Sequence, residues 1–97
     1  MGILSLIRCL QTYSFKPTGI CTYSAGKWGG ARAGIALRAY LGELGCLGVS
    51  ATMQIPTAWK TFNNADAERP SAEKMLGQLE WMAHAMRNHR RAEGLPP

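Results

Sequence analysis

Acidic residues are the first thing this chain lacks: none occurs before Glu43, while Arg8, Lys16, Lys27, Arg32 and Arg38 fall in the same stretch. A one-signed field of this kind suits an anionic partner rather than a cationic one. Cysteine is scarce as well. Cys9, Cys21 and Cys46 are odd in number and form no C-x-x-C pair, which excludes a disulfide framework and a cysteine-built zinc site. Reduced, mostly buried thiols are expected. His84 and His89 lie five residues apart, about 140° on a helix, so they cannot share a metal as an i, i+4 pair does. No metal site is assigned.

Long apolar runs are missing too. The opening stretch Ile3 to Ile7 stops at Arg8, too short for a secretory signal or a membrane span. The expected compartment is cytoplasmic, with no membrane partner. The basic, acid-free start also fits a mitochondrial presequence, a reading ranked lower. The closing cluster "RNHRRAEG", Arg87 to Gly94, reads as a solvated helix terminus, where cations suit the helix dipole. Without a recognised binding motif, no nucleic-acid partner is expected.

What the sequence does contain is a soluble pattern: 97 residues, 46% hydrophobic, 18% charged and a net charge of +5. One small domain is expected, with roughly 60–65% of its unfolded surface buried. Ile3, Leu6, Ile7 and Leu10 share a helical face, so a short N-terminal helix should precede the break at Phe15-Lys16-Pro17. "TGICTYS", about 18–24, reads as a strand buried on both faces. A helix follows over about 30–44, with Ala33, Leu37, Tyr40, Leu41 and Leu44 as its apolar stripe, Arg38 off it, and Gly45 as its left-handed end. Gly34 and Gly42 inside this helix suggest close packing contacts.

"LGVSATMQI", 47–55, reads as a second strand that Pro56 ends. Strand, helix and strand make a βαβ unit with parallel strands and a right-handed crossover. Residues 56–70 should form an ordered loop pinned by Trp59 and Phe62. Ser71 should cap a last helix over about 71–91, with Glu73 in its first turn. Met75, Leu79, Met82 and Met86 give that helix its core face, with Leu76 and Ala83 widening the stripe. "GLPP" is a tail.

The glycine-rich stretch "YSAGKWGGARAG", Tyr23 to Gly34, lies between the first strand and its helix. Glycines let backbone N–H groups approach a ligand, and the helix N-terminus favours anions. Two specific templates fail. Lys27 precedes Gly29 and Gly30, unlike the lysine of a Walker A loop, and G-x-G-x-x-G is absent. The pattern is equally that of a tight turn without a ligand. Ser24 lacks the flanking glycine of a nucleophile elbow and has no histidine nearby in sequence. No catalytic residue is assigned, so any chemistry here belongs to a cofactor.

The longer run "KPTGICTYSAGKWGGARAGIALRAYLGELGCLGVSATMQIP" resembles the C-terminal part of the NADPH-dependent FMN reductase family, over about Lys16 to Arg90. The resemblance implies an α/β, partial flavodoxin-like fold: two parallel strands with flanking helices and a short N-terminal helix. It divides the chain into a divergent segment 1–15, the C-terminal half of the reductase domain over 16–92, and a tail 93–97. By position, Ser24, Ala25, Gly26, Lys27, Trp28, Gly29 and Gly30 would wall the flavin ring, with backbone N–H groups on its carbonyl and ring-nitrogen edge. FMN and NADPH are the implied cofactors.

The implied activity is NAD(P)H-dependent reduction of flavins or quinones. The family's phosphate loop and its "PEYN"-like flavin loop have no counterpart in these residues. The expectation is therefore a truncated form with weakened FMN binding, poor solubility, and pairing with itself or with a complete homologue. The alternative is a non-catalytic α/β module that binds a protein or an anion through its basic first half.

Overall fold

A computed structural model describes residues 13–61 and 65–96. The expected helix over residues 3–12 and the anchoring role of Phe62 lie outside them. Strand β1 (Pro17–Tyr23) leads through the glycine loop to helix α1 (Ala31–Glu43), and strand β2 (Leu47–Ile55) follows. A short helix α2 (Ala58–Thr61), a 3-10 turn (Ala65–Glu68) and the long helix α3 (Arg69–Glu93) complete the order. β1 and β2 pair in parallel as a two-stranded sheet. The molecule is thus mixed α/β with an open sheet.

The pairing is interrupted once. Thr18 pairs with Gly48, but the next paired positions are Ile20 and Thr52, so Val49, Ser50 and Ala51 bulge opposite Gly19. Both flanking helices satisfy the bulge: Arg38 Nη2 donates to the Val49 carbonyl at 3.2 Å, and the Ala51 N–H donates to Gln78 Oε1 at 2.9 Å. Leaving such groups unpaired would cost about 1–3 kcal/mol each. Val49 itself is the most buried core residue, 2% exposed, beside Ile20, Cys46, Ala58 and Met75.

Helix α1 meets the sheet on a different side from the one its apolar stripe suggested. An added Cβ on Gly34 would touch Thr22 and Ile20, and the Arg38 guanidinium lies over Gly48. Ala31, Gly34, Arg38 and Leu41 therefore form the sheet-facing row, because small residues permit close approach and Arg38 meets a free carbonyl. Leu37 and Tyr40 of the expected stripe are exposed. Gly34 has its packing contact, whereas Gly42 faces open space. Gly45, at φ 86, follows the helix in the left-handed conformation expected of it.

β1 is covered less than its composition implied. Ile20 and Thr22 are buried, but Cys21 and Tyr23 of the opposite face are exposed, since α3 lies mainly over β2. Cys21 is thus an exposed free thiol, while Cys46 is buried and points its thiol at the Tyr13 carbonyl. α3 starts at Arg69 rather than at a Ser71 cap: Glu68 is the N-cap without a side-chain bond, and Pro70 occupies the first turn. Proline suits that position because its missing N–H has no helical acceptor there. Glu73 accordingly lies beyond the first turn. Met75 is buried beneath the sheet, with Leu79, Met82 and Met86 half-buried, whereas Leu76 and Ala83 are exposed.

The described residues after β2 form α2 and the 3-10 turn, and Trp59 is exposed rather than buried as an anchor. Ala58 is the buried residue instead, held by its N–H on the Ser24 carbonyl at 2.9 Å.

Candidate functional site

The carboxyl ends of both strands carry their loops side by side, the place where open α/β sheets hold ligands. Three backbone bonds lace the loops together. Ser24 N–H donates to Ile55 O at 3.1 Å, Thr57 N–H to Gly26 O at 2.8 Å, and Ala58 N–H to Ser24 O at 2.9 Å. Thr57 adopts φ 43, a left-handed conformation that a β-branched residue takes at a cost of about 1–3 kcal/mol. The strap across the glycine loop is therefore a strained one.

Within the glycine loop, Ser24 is the organiser. Its hydroxyl donates to Gly26 O at 2.9 Å and accepts the Gly29 N–H at 2.9 Å. Thr22 Oγ1, buried under the loop, donates to Gly29 O at 2.7 Å. Gly29 and Gly30 have φ 63 and 77, and both sit against neighbours. A Cβ on Gly29 would come within 3.2 Å of the Pro56 nitrogen, and one on Gly30 within 2.9 Å of Thr22 Cβ. Glycine is required here by conformation and by space together.

Gly30 also caps α1 without a side-chain bond, and the Ala31 N–H donates to Trp28 O at 3.1 Å. An open cavity of about 570 Å³ lies at this end, lined by Ser24, Gly26, Trp28, Gly30, Ala31, Arg32 and Ala33. Four of the seven expected site residues, Ser24, Gly26, Trp28 and Gly30, meet there. Ala25 and Lys27 are exposed outside its lining, and Gly29 is buried beneath the strap. Trp28 is 72% exposed, with the Lys27 ammonium 5.1 Å from its ring centre. Trp59 and Lys60 repeat that cation–π arrangement at 5.0 Å on the adjoining loop.

Sequence reasoning stopped one residue short of Ala31, Arg32 and Ala33. Arg32, a cation in the first turn of α1, was visible as the continuation of the loop; the role of Thr57 left no sequence signal. His84 and His89 are far along α3 in sequence from this loop, and both are exposed; His84 lies 3.7 Å from Glu80. Among the described residues no group of His, Cys, Asp or Glu is placed to hold a metal, and no helix is long and apolar enough to cross a membrane. What the described residues offer at this site is backbone polar groups, the Arg32 cation with Lys27 close by in the loop, and an exposed indole, with no acid or base among the lining residues.

Comparison with protein-family models, with curated proteins and with solved structures gave no match to this chain.

Proposed function

We propose that the chain carries the ring-side wall of an FMN site and functions in NAD(P)H-dependent reduction of flavins or quinones, as the C-terminal half of a flavodoxin-like reductase fold. The observation that supports this most is the cavity of about 570 Å³ at the carboxyl end of β1, lined by Ser24, Gly26, Trp28 and Gly30. Its volume lies within the range of about 300–1,000 Å³ typical of ligand pockets. The donor set also fits a flavin edge. The start of α1 beside the cavity, with Arg32 in its lining and Lys27 next in the loop, suits electron-rich carbonyl oxygens.

Each residue has a defined task in this reading. Ser24 fixes the loop through its two hydrogen bonds, Gly26 leaves space for a ring to approach, and Gly30 starts the helix at whose N-terminus the cavity lies. Trp28 supplies an apolar plane against which an aromatic ring can stack. Bound FMN would supply the redox chemistry itself. Positive charge and N–H donors at this wall favour the more negative, reduced flavin.

These residues include no second glycine-rich loop of the phosphate-binding type, so binding rests on the ring side alone. Charge-assisted hydrogen bonds contribute about 1.5–3 kcal/mol each, and without those to a phosphate FMN affinity is expected to be weak. The test is to add FMN to the purified chain and follow flavin absorbance and NAD(P)H-dependent quinone reduction. A saturable flavin shift that is lost in Gly30→Val supports the reading. A colourless chain that leaves added FMN unchanged at millimolar concentration contradicts it.

A second reading, a non-catalytic interaction module, draws on a separate observation: Tyr23, Trp28, Leu37 and Tyr40 are all exposed on one small domain. It predicts partner binding with no flavin signal.

A further inference from the structure

We infer that the space between α1 and the sheet is a second ligand site, which takes a small aliphatic carboxylic acid as its anion, held between Arg38 and Thr18. The inference is independent of any flavin, since none of the residues it uses lines the cavity at the glycine loop. It begins with one atom. The Thr18 hydroxyl oxygen is buried and, among the described residues, has no hydrogen-bond partner. Buried polar side chains are nearly always paired, so an unpaired one points to a missing acceptor or donor. Thr18 lines a cavity of about 210 Å³ under α1, together with Ile20, Arg38, Leu41, Cys46 and Gly48.

Arg38 stands beside that hydroxyl. Thr18 pairs directly with Gly48 across the sheet, and Arg38 Nη1 lies 3.0 Å from where a Cβ on Gly48 would stand. Paired strands lie about 4.8 Å apart, so guanidinium and threonine are neighbours separated by roughly one strand spacing. The gap exceeds a direct hydrogen bond, and a carboxylate that accepts from both sides fills it. Only Nη2 of the guanidinium is engaged among the described residues, donating to Val49 O at 3.2 Å.

Charge sets the sign of the ligand. All six acidic residues of the chain fall among the described residues, and none lines this cavity or the trough that adjoins it. Among the described residues Arg38 has no ion pair. One positive charge matches one carboxylate, whose planar group suits the guanidinium fork. The lining sets the rest of the molecule. Ile20 and Arg38 also belong to the adjoining trough of about 640 Å³, where Ile35 and Ala39 add apolar surface. A carboxylate seated at Arg38 therefore lays its carbon chain along Ile20, Ile35 and Ala39.

Amide and arginine side-chain NMR of the full chain titrated with hexanoate tests this. The expected result is saturable shifts at the Thr18, Ile20 and Gly48 amides and at the Arg38 Nε–H, with none from hexanamide, the neutral counterpart. Arg38→Gln should weaken hexanoate binding by at least about 10-fold. Because Arg38 also serves the bulge, Thr18→Val is the second variant, removing the hydroxyl at nearly constant shape. It should weaken hexanoate by about 5-fold or more while leaving the urea midpoint unchanged or higher, since an unpaired buried hydroxyl does not support the fold. No saturation with hexanoate, an equal response to hexanamide, shifts centred on Ser24 and Arg32 instead, or undiminished binding in either variant would each overturn the inference. A lower urea midpoint for Thr18→Val would do so too, by showing that water or another protein group already satisfies the hydroxyl.

Discussion

Gly29 N–H donates to Ser24 Oγ at 2.9 Å, closing a clasp across the glycine loop between the end of β1 and the start of α1. The same hydroxyl donates to Gly26 O, so one side chain fixes two points of the loop. Ser24→Ala removes both bonds from a half-exposed position. It should lower stability by about 0.5–1.5 kcal/mol, read as a smaller midpoint in urea unfolding at unchanged slope.

The two kinds of glycine in the loop separate cleanly. Gly30→Ala places a Cβ 2.9 Å from Thr22 Cβ at φ 77, and should destabilise by more than about 1 kcal/mol. Gly26→Ala meets nothing within 4 Å and needs no left-handed backbone. It should be neutral or raise stability by about 0.4–1 kcal/mol. Thermal melting of the two variants side by side distinguishes them.

Thr57 stores strain above the loop, and glycine would release it. The left-handed conformation costs a non-glycine residue about 1–2 kcal/mol, while glycine costs about 0.5–1 kcal/mol in added unfolded-state freedom. Thr57→Gly should therefore stabilise the fold by about 0.5–1 kcal/mol in chemical denaturation. A loss of stability would mean that the Thr57 side chain, rather than its backbone, holds the strap.

On α3 the phase of the helix decides what each apolar residue contributes. Met75 is buried against Gly19, with its sulfur 3.3 Å from where a Cβ would stand, and Met75→Ala should cost about 2–5 kcal/mol. Leu76, next along the chain, is exposed, and Leu76→Ala should change stability by no more than about 0.5 kcal/mol. Equal effects in urea unfolding would place the helix in another rotation.

Much of this architecture was legible because local signals agreed. β2 spans the expected residues 47–55, and β1 and α1 begin or end within one residue of expectation. Gly45 ends α1 where a left-handed residue was called for. The side of α1 that faces the sheet was not legible. Reading Leu37 and Tyr40 as core assumes that an apolar stripe packs on its own sheet, and here Gly34 and Arg38 take that role. Exposure of Cys21 likewise depends on α3 leaning towards β2, a tertiary fact without a trace in "TGICTYS". Of the candidate site, the glycine loop stood out in the sequence, and Ser24, Gly26, Trp28 and Gly30 of it line the cavity. The burial of Gly29 could not, because it depends on a strap whose threonine has an unexpected backbone conformation.

Amide NMR of the full chain titrated with FMN tests most directly the proposal that the glycine loop is a flavin-ring wall. The predicted result is saturable shifts concentrated at Ser24, Gly26, Trp28, Gly30 and Arg32, with β2 and α3 unmoved. Shifts spread over Ser50, Thr52 and Gln54, or no saturable shift at millimolar FMN, would contradict it.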